Sequence, residues 1–431
     1  MSRPLSSAVD RIAPPRLGRN FRWLLSSSIA TNAGDGIALA AGPLLIASQT
    51  RDAFVVSTAV LAQVLPPLLF GAVAGAVSDR YDRRRIVMAV NLARAVVLLA
   101  LAATIASGTV SIPLVLGALF VLGSAETFAD IGSSSLLPRV VRREDLGIAN
   151  ARLQGAYILT NDLLAPPIGA FLFVIGMATP FAANAASFAL GAVLVTRVVG
   201  TEASAAASSA SAAERSALRV DLIEGLRWLF GHPPMRTLAL TIVAFNVTFG
   251  AAWGVLVLYA REQLGMDEIG FGLMTSALAI GGLIGTVSYG RLERRFSLAT
   301  IMRAGLVIET ATHLALAVTN TPAVALAVLV VFGAHAFVWS TTATTVRQRA
   351  VPDALLGRVT GVYTVGVFAG LAAGTPIGGI LARELGIAAP FWFGFAGSAL
   401  LVVILWREFA HIAHAGAAVV PGEGDRVPLS G

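Results

Sequence analysis

The chain has 431 residues, of which 56 % are hydrophobic and 13 % charged, and its mean hydropathy is +0.79. A water-soluble domain is about a quarter charged, so this chain has too few charges to cover a water-facing surface and must use lipid as its solvent. Its net charge of +7 comes from 31 basic residues, all of them Arg, and the absence of Cys excludes disulfides, thiolate chemistry and Cys-ligated metals.

A helical span needs roughly 20 apolar residues. Twelve such runs are read along the chain, near 22–48, 56–77, 86–107, 112–133, 151–176, 178–198, 237–260, 269–290, 297–318, 322–345, 359–384 and 389–406. They are long and continuous, which argues for helices against the short alternations of a barrel. Residues 1–21 form a basic N-terminal tail, and the run after it is of full span length, so it reads as a retained first helix, not a cleaved signal. Residues 22–200 then make one six-helix half and 235–407 a second. Between them lies a linker, 201–234. It opens with an Ala/Ser-rich stretch and continues through Val220–Phe230, where Leu222, Leu226 and Leu229 share one helical face. That pattern predicts an amphipathic helix, either lying on the membrane surface or packed against the bundle. Residues 408–431 form a tail.

Arg falls in both tails and in every even-numbered loop, while the opposite face keeps only Arg51, Arg261 and Arg383. This asymmetry places both termini in the cytoplasm. It also accounts for the high charge without nucleic acid.

The chain repeats itself at an offset of about 210 residues. Gly75-Ala-Val-Ser-Asp79-Arg80-Tyr-Asp-Arg83-Arg84-Arg85 is followed by Gly285-Thr-Val-Ser-Tyr289-Gly290-Arg291-Leu-Glu-Arg294-Arg295. Pro167-Ile-Gly169 matches Pro376-Ile-Gly378, and Arg94 matches Arg303. A duplicated bundle with basic hairpins is the architecture of a secondary transporter, whose site lies between its halves. A phosphate loop that needs Lys is impossible here, so energy must come from a gradient or from the substrate itself.

The first hairpin resembles the loop between helices 2 and 3 of the major facilitator superfamily, G-x-x-x-D-R-x-G-R-R. Gly75, Asp79, Arg80, Arg83 and Arg84 match it, and Asp82 stands where Gly is usual. The resemblance implies a conformational gate: the Gly permits close helix approach, and the Asp faces a helix N-terminus of the other half in the outward-facing state. The second copy lacks the Asp. The segments 137–150, 224–233 and 352–358 are similar to loops of the branch that includes enterobactin exporters and macrolide efflux proteins. Asp162-Leu-Leu-Ala-Pro166-Pro167-Ile-Gly169 resembles a degraded antiporter motif, and Gly370-Leu-Ala-Ala-Gly374-Thr-Pro376-Ile-Gly378-Gly379 repeats it. Pro166, Pro167, Gly169, Gly374, Pro376 and Gly378 also suit close helix packing with a Pro kink, with or without a coupling role.

Charge inside a span costs roughly 3 kcal/mol and needs a partner, water or a proton. In the first half, Asp35, Arg94, Glu126, Asp130 and Asp162 lie within spans; in the second, Arg303, Glu309, His313 and His335. At about 1.5 Å per residue, Asp35 and Asp162 sit near the midplane, with Arg94 and Glu126 roughly 10–12 Å from the cytoplasmic edge. Asp35 and Asp162 are therefore expected to carry protons or a cation. Arg94 and Glu126 are expected to pair as a latch, with Asp130 one turn beyond Glu126. Glu309 and His313 are placed to meet along one helix, and His335 reads as packing. Gln63, Tyr157, Asn184, Asn246 and Tyr363 are candidate cavity-lining groups. The resemblance further implies that Trp253 and Trp339 contact an apolar substrate.

The sequence therefore predicts an all-α membrane protein of twelve helices in two pseudo-symmetric halves, with the major facilitator fold. Its predicted work is proton-coupled efflux of amphiphilic small molecules, antibiotics or siderophores, by a monomer in the cytoplasmic membrane. It is expected to use no cofactor or metal, to bind no nucleic acid and to have no enzymatic activity. A nutrient importer of the same fold, or a non-transporting membrane sensor, are the alternatives.

Overall fold

The computed structural model describes residues 14–199 and 212–413, without the side chains of Ala72, Asp79, 212–221, Ala410 and Ala413. Most of the N-terminal tail, the Ala/Ser stretch of the linker and nearly all of the C-terminal tail thus lie outside the described residues. The described residues are helical, with no strand among them.

The first half contains α1 (Gly18–Gln49), α2 (Ala53–Arg80), α3 (Arg83–Ala106) and α4 (Ile112–Val140). α5 follows as Leu146–Tyr157, a π-helical stretch Ile158–Leu164 and Ala165–Ile175, and α6 is Thr179–Val195. The linker helix Ala212–Gly231 leads to α7 (Pro233–Gly254), α8 (Glu268–Arg295), α9 (Leu298–Val318), α10 (Pro322–Ala350), α11 (Asp353–Leu385) and α12 (Ala389–Leu405), with a terminal helix Glu408–Ala413. Every expected run is helical, the one near 237–260 breaking at Val255 and continuing as Leu256–Leu258 and a π-helical Tyr259–Gln263. Ten are long and apolar enough to cross a membrane, and α6 and α12 are shorter apolar helices. Several extend a turn or more past their apolar run, because polar residues at the hairpins cap them. Asp52 accepts from the Phe54 and Val55 amides, and Asp82 from those of Arg84 and Arg85. Asp267 and Ser297 do the same for α8 and α9. Asp82 thus replaces the usual hairpin Gly with a helix N-cap.

Within the first half α1 packs on α5 and α6, α2 on α4, and α3 on α4 and α6; the second half repeats this with α7 on α11 and α12, α8 on α10, and α9 on α10 and α12. Between the halves, α2 meets α11 and α5 meets α8. Small residues set these distances. A Cβ on Gly374 would stand 2.2 Å from the Val247 carbonyl, on Gly378 2.0 Å from that of Ala251, and on Gly169 2.6 Å from that of Ile37. In lipid, where apolar burial drives nothing, such backbone proximity is the main source of helix adhesion.

The halves close on each other at the face opposite the termini. Gly379 abuts Phe54 and Ser57, Gly254 abuts Ser57 and Thr375, and Gly272 abuts Pro167. Two of the three Arg on that face contribute: Arg261 donates to the Ala47 carbonyl at 3.1 Å, and the Arg383 guanidinium stands 5.6 Å from the Phe54 ring centroid. At the terminal face the gaps are open. A Cβ on Gly75, Gly147, Gly155, Gly357 or Gly361 would meet nothing within 4 Å.

Proline chemistry builds one of these seals. Pro167 has no N–H, so the Leu163 carbonyl four residues earlier loses its α-helical partner. Ser276 of α8 supplies one instead, at 2.6 Å across the interface. Ser276→Ala is expected to remove about 0.5–1.5 kcal/mol from this closed face. A cysteine placed by Leu39→Cys in the otherwise Cys-free chain reads the effect: it should label faster from the face opposite the termini in the Ser276→Ala background, and equal rates would contradict this.

The helix ends correct the sequence offset. α2 and α8 are both 28 residues long, and Gly75 and Gly290 each lie five residues before the last. Gly290, not Gly285, is therefore the counterpart of Gly75; Gly285 serves contact with Ala334 of α10. Likewise Arg94 and Glu309 each lie eleven residues past the first residue of α3 and α9, so Arg94 pairs with Glu309, not Arg303. The hairpins differ in sequence, and only the helix ends reveal the slip. The linker helix packs on α11: Gly225 meets the Arg358 backbone, Glu224 pairs with Arg358 at 2.6 Å and Leu229 is buried, while Leu226 is exposed.

Candidate functional site

Two cavities near the middle of the bundle share Leu39 as a wall, one inside the first half and one between the halves. In the first, of ≈ 90 Å³, α3 projects Arg94 towards carboxylates of α1 and α4. Arg94 is only 3 % exposed. Its Nη2 donates to Asp35 Oδ1 and lies 3.7 Å from Glu126 Oε2. Its guanidinium carbon stands 3.8 Å from the ring centroid of Phe188 on α6. One cation thus serves two carboxylates and an aromatic face. The Asp35 side chain is 12 % exposed and that of Glu126 43 %, so Glu126 is the carboxylate open to the cavity. Arg94 Nε and the side-chain oxygens of Asn91, Asn161 and Asn184 are buried without a hydrogen-bond partner. Unsatisfied polar atoms around a cavity are places for water or a ligand.

The sequence set Asp35 apart, deeper than an Arg94–Glu126 pair. The structure joins all three and gives Asp35 the direct bond. Glycines bring this about: a Cβ on Gly34 would lie 2.2 Å from Asn184 Oδ1, and one on Gly36 2.3 Å from the Asn161 carbonyl. α1 therefore sits against α5 and α6, within reach of the long Arg side chain. Asp130 is exposed, one turn nearer the terminal face, with no ion pair among the described residues.

The second cavity, ≈ 220 Å³, lies between the halves. Asp162 reaches it from the π-helical stretch of α5, a distortion common at functional sites. Facing it are Phe249 and Trp253 of α7 and Phe332 of α10. Phe249 stacks on Trp253 at 5.4 Å and on Phe332 at 5.6 Å. Asp162 has no ion pair among the described residues. A lone carboxylate opposite aromatic faces attracts a cation with an apolar body from both sides.

Of the polar candidates, Gln63, Tyr157 and Asn184 line the first cavity. Asn246 bonds its own helix at Ile242, and Tyr363 lies under Arg347, 4.1 Å from its guanidinium carbon. Trp253 lines the inter-half cavity. Trp339 is 4 % exposed and packs against Phe245 and Phe409, so in this conformation it belongs to the core. Phe188, Phe249, Phe332 and Asn161 escaped the sequence reading; the i, i+4 spacing of Phe249 and Trp253 was the available signal.

The hairpin is tied to itself and to the end of α6. Arg83 donates to the Ser78 carbonyl at 3.1 Å and Arg84 to the Thr196 carbonyl at 2.5 Å. Arg80 has partners of its own, and the side chain of Asp79 lies outside the described residues. A Cβ on Gly75 would meet nothing within 4 Å.

Comparison with known proteins places this arrangement. The sequence profile of the transmembrane secretion effector family matches residues 11–422. The multidrug efflux pump Tap of Mycolicibacterium fortuitum is 28 % identical over 89 % of this chain and 93 % of its own length. The enterobactin exporter EntS of Escherichia coli O1:K1 / APEC is 27 % identical over 77 % and 79 %. A bacterial homologue of the iron transporter ferroportin, in its inward-facing state, superposes with a TM-score of 0.69 at 19 % identity, covering 92 % of this chain and 98 % of that one. The nucleoside transporter NupG gives 0.72 at 12 %, covering 92 % and 99 %. These structures share the fold of two six-helix halves. The chain belongs to the transmembrane secretion effector family of the major facilitator superfamily, and is a transporter, not an enzyme.

Proposed function

We propose that this protein exports amphiphilic, cationic or neutral small molecules across the cytoplasmic membrane in exchange for protons, as a monomer with both termini inside. The observation that carries the reading is the charge imbalance around Arg94. Two carboxylates, Asp35 nearly buried and Glu126 open to the cavity, face one buried guanidinium inside the membrane-spanning bundle. Low dielectric disfavours the net negative charge, so a proton or a cationic cargo must complete it. Both cannot do so at once, and that competition is the logic of an antiporter. Glu126, the exposed carboxylate, is the exchangeable one; Asp35 holds Arg94 in place.

Asp162 and the aromatic wall opposite it would hold the cargo between the halves. With the Arg-rich face inside, the conformation described is inward-open: sealed at α2–α11 and α5–α8 on the outside, parted at Gly75 on the inside. Rocking of the halves would close the Gly75 hairpin and open the outer seal. Tap and EntS, named as exporters, support the outward direction.

The test is accumulation of a panel of lipophilic cations and siderophores in inverted vesicles, with lumen pH read by a dye. Cargo entry that alkalinises an acid lumen and stops when an ionophore collapses the gradient is the expected result. Accumulation indifferent to the gradient would remove proton exchange.

A further inference from the structure

The second half holds a buried ionisable cluster that the exporter reading does not use. Glu309 and His313 of α9 and His335 of α10 are 3 %, 3 % and 6 % exposed. His335 Nε2 lies 2.9 Å from Glu309 Oε2. His313 Nδ1 lies 2.9 Å from the Glu309 backbone carbonyl and 3.6 Å from Glu309 Oε1. A carbonyl oxygen only accepts, so His313 Nδ1 carries a hydrogen. The Glu309–His335 contact likewise needs a proton between oxygen and nitrogen, whichever group owns it.

Charge then fixes the occupancy. A sealed carboxylate with two neutral imidazoles would leave a net negative charge in low dielectric. Other ionisable side chains of the elements packed against α9 and α10 lie elsewhere: on α8, Glu268 pairs with Arg261, Glu293 pairs with Arg349, Tyr289 meets Thr345, and Arg291, Arg294 and Arg295 stand at its terminal-face end, while Arg236 of α7 donates to the Phe230 carbonyl. Arg303 donates to the Trp406 carbonyl, Tyr259 to the Leu316 carbonyl, and Glu408 faces His411 at 3.6 Å. Arg347 of α10 lies over Tyr363, and α12 carries no ionisable residue. The cluster therefore needs one further proton, as imidazolium or carboxylic acid, to be neutral. Its place in the fold supports a role: Glu309 occupies the position in α9 that Arg94 occupies in α3, an inversion of charge between the halves.

The cluster also has a door. A cavity of ≈ 20 Å³, room for about one water, lies beside His313 and Leu316 and is walled by Phe249, Trp253 and Phe332. The same three aromatics wall the Asp162 cavity. Gly394 leaves room for the imidazole, since a Cβ there would lie 2.1 Å from His313 Cδ2.

We propose that Glu309, His313 and His335 form a second proton-holding site, in the second half, that exchanges its proton with the inter-half cavity past His313. The proposal needs only the transporter fold and stands whether or not the export reading does.

The first measurement leaves the cluster intact. Of the five His in the chain, His232, His411 and His414 are replaced by Gln, so that ¹⁵N-histidine spectra of the protein in lipid nanodiscs report His313 and His335 alone. Across a pH titration both signals are expected to shift, and Glu309→Gln is expected to change that response. Signals fixed across the range, or a response identical in Glu309→Gln, would overturn the proposal. Leu316→Phe fills the small cavity and should slow the response to a pH step; an unchanged rate overturns the assigned route. Repeating the titration in Glu126→Gln separates the sites: a persisting response supports an independent site, and its loss assigns the proton to the first half.

Discussion

Arg94→Met is expected to abolish transport and to destabilise the protein by about 3–5 kcal/mol, the cost of leaving a buried charge without its partner. Arg94 is almost fully buried and Asp35 nearly so, so solvent does little to screen the loss. The substitution leaves Asp35 and Glu126 facing each other in the same cavity, and removes the guanidinium from Phe188. Pairing it with Asp35→Asn should recover most of the thermal stability in detergent, because removing both members of a buried pair is far milder than removing one. Transport should stay lost in the double variant, since nothing then sets the charge that proton and cargo contest. Recovery of gradient-driven efflux in the double variant would show that the pair is structural only.

The second large effect concerns glycine, and it separates the two motifs that the sequence singled out. Gly378→Val places a Cβ 2.0 Å from the Ala251 carbonyl, in a contact made of backbone on both sides. Backbone cannot rotate away, so α7 and α11 must part at a cost of about 3 kcal/mol. Little folded protein should reach the membrane, as measured by size-exclusion of a fluorescent fusion. Gly75→Val meets nothing in the conformation described and should express normally. Its expected defect is in the cycle, because under the proposed rocking of the halves the opposite conformation would bring this hairpin against the second half. Normal folding of Gly378→Val would contradict the packing account, and full transport by Gly75→Val would contradict the gate.

How much of this was legible in the sequence follows from the range of the forces involved. The twelve helices were, because apolar run length is a local property and lipid enforces it. The packing role of Gly169, Gly374 and Gly378 was, because small residues at spacings of four mark a helix contact without reference to the partner. In the Arg94 cluster, the meeting of Arg94 with Glu126 was legible, and the membership of Asp35 was not. Depth along a helix is readable, but Asp35 reaches Arg94 only because Gly34 and Gly36 draw α1 onto α5 and α6, a three-dimensional fact. The pairing of Glu309 with His335 was missed for the same reason, since the two lie on different helices. The repeat was visible, yet its register through the hairpin was not: matching letters aligned Gly75 with Gly285, whereas equal helix lengths align it with Gly290. Trp339, whose chemistry suits a cargo, packs in the core in the conformation described.

The central claim is that Glu126 exchanges a proton for cargo beside a fixed Asp35–Arg94 pair. It is tested most directly in proteoliposomes carrying the wild type or Glu126→Gln, with a cargo identified in vesicles. Two quantities are compared: accumulation driven by a proton gradient, and exchange of labelled for unlabelled cargo with no gradient. The prediction is that Glu126→Gln keeps cargo exchange and loses gradient-driven accumulation together with proton movement. Gradient-driven accumulation at the wild-type level in Glu126→Gln would contradict the account.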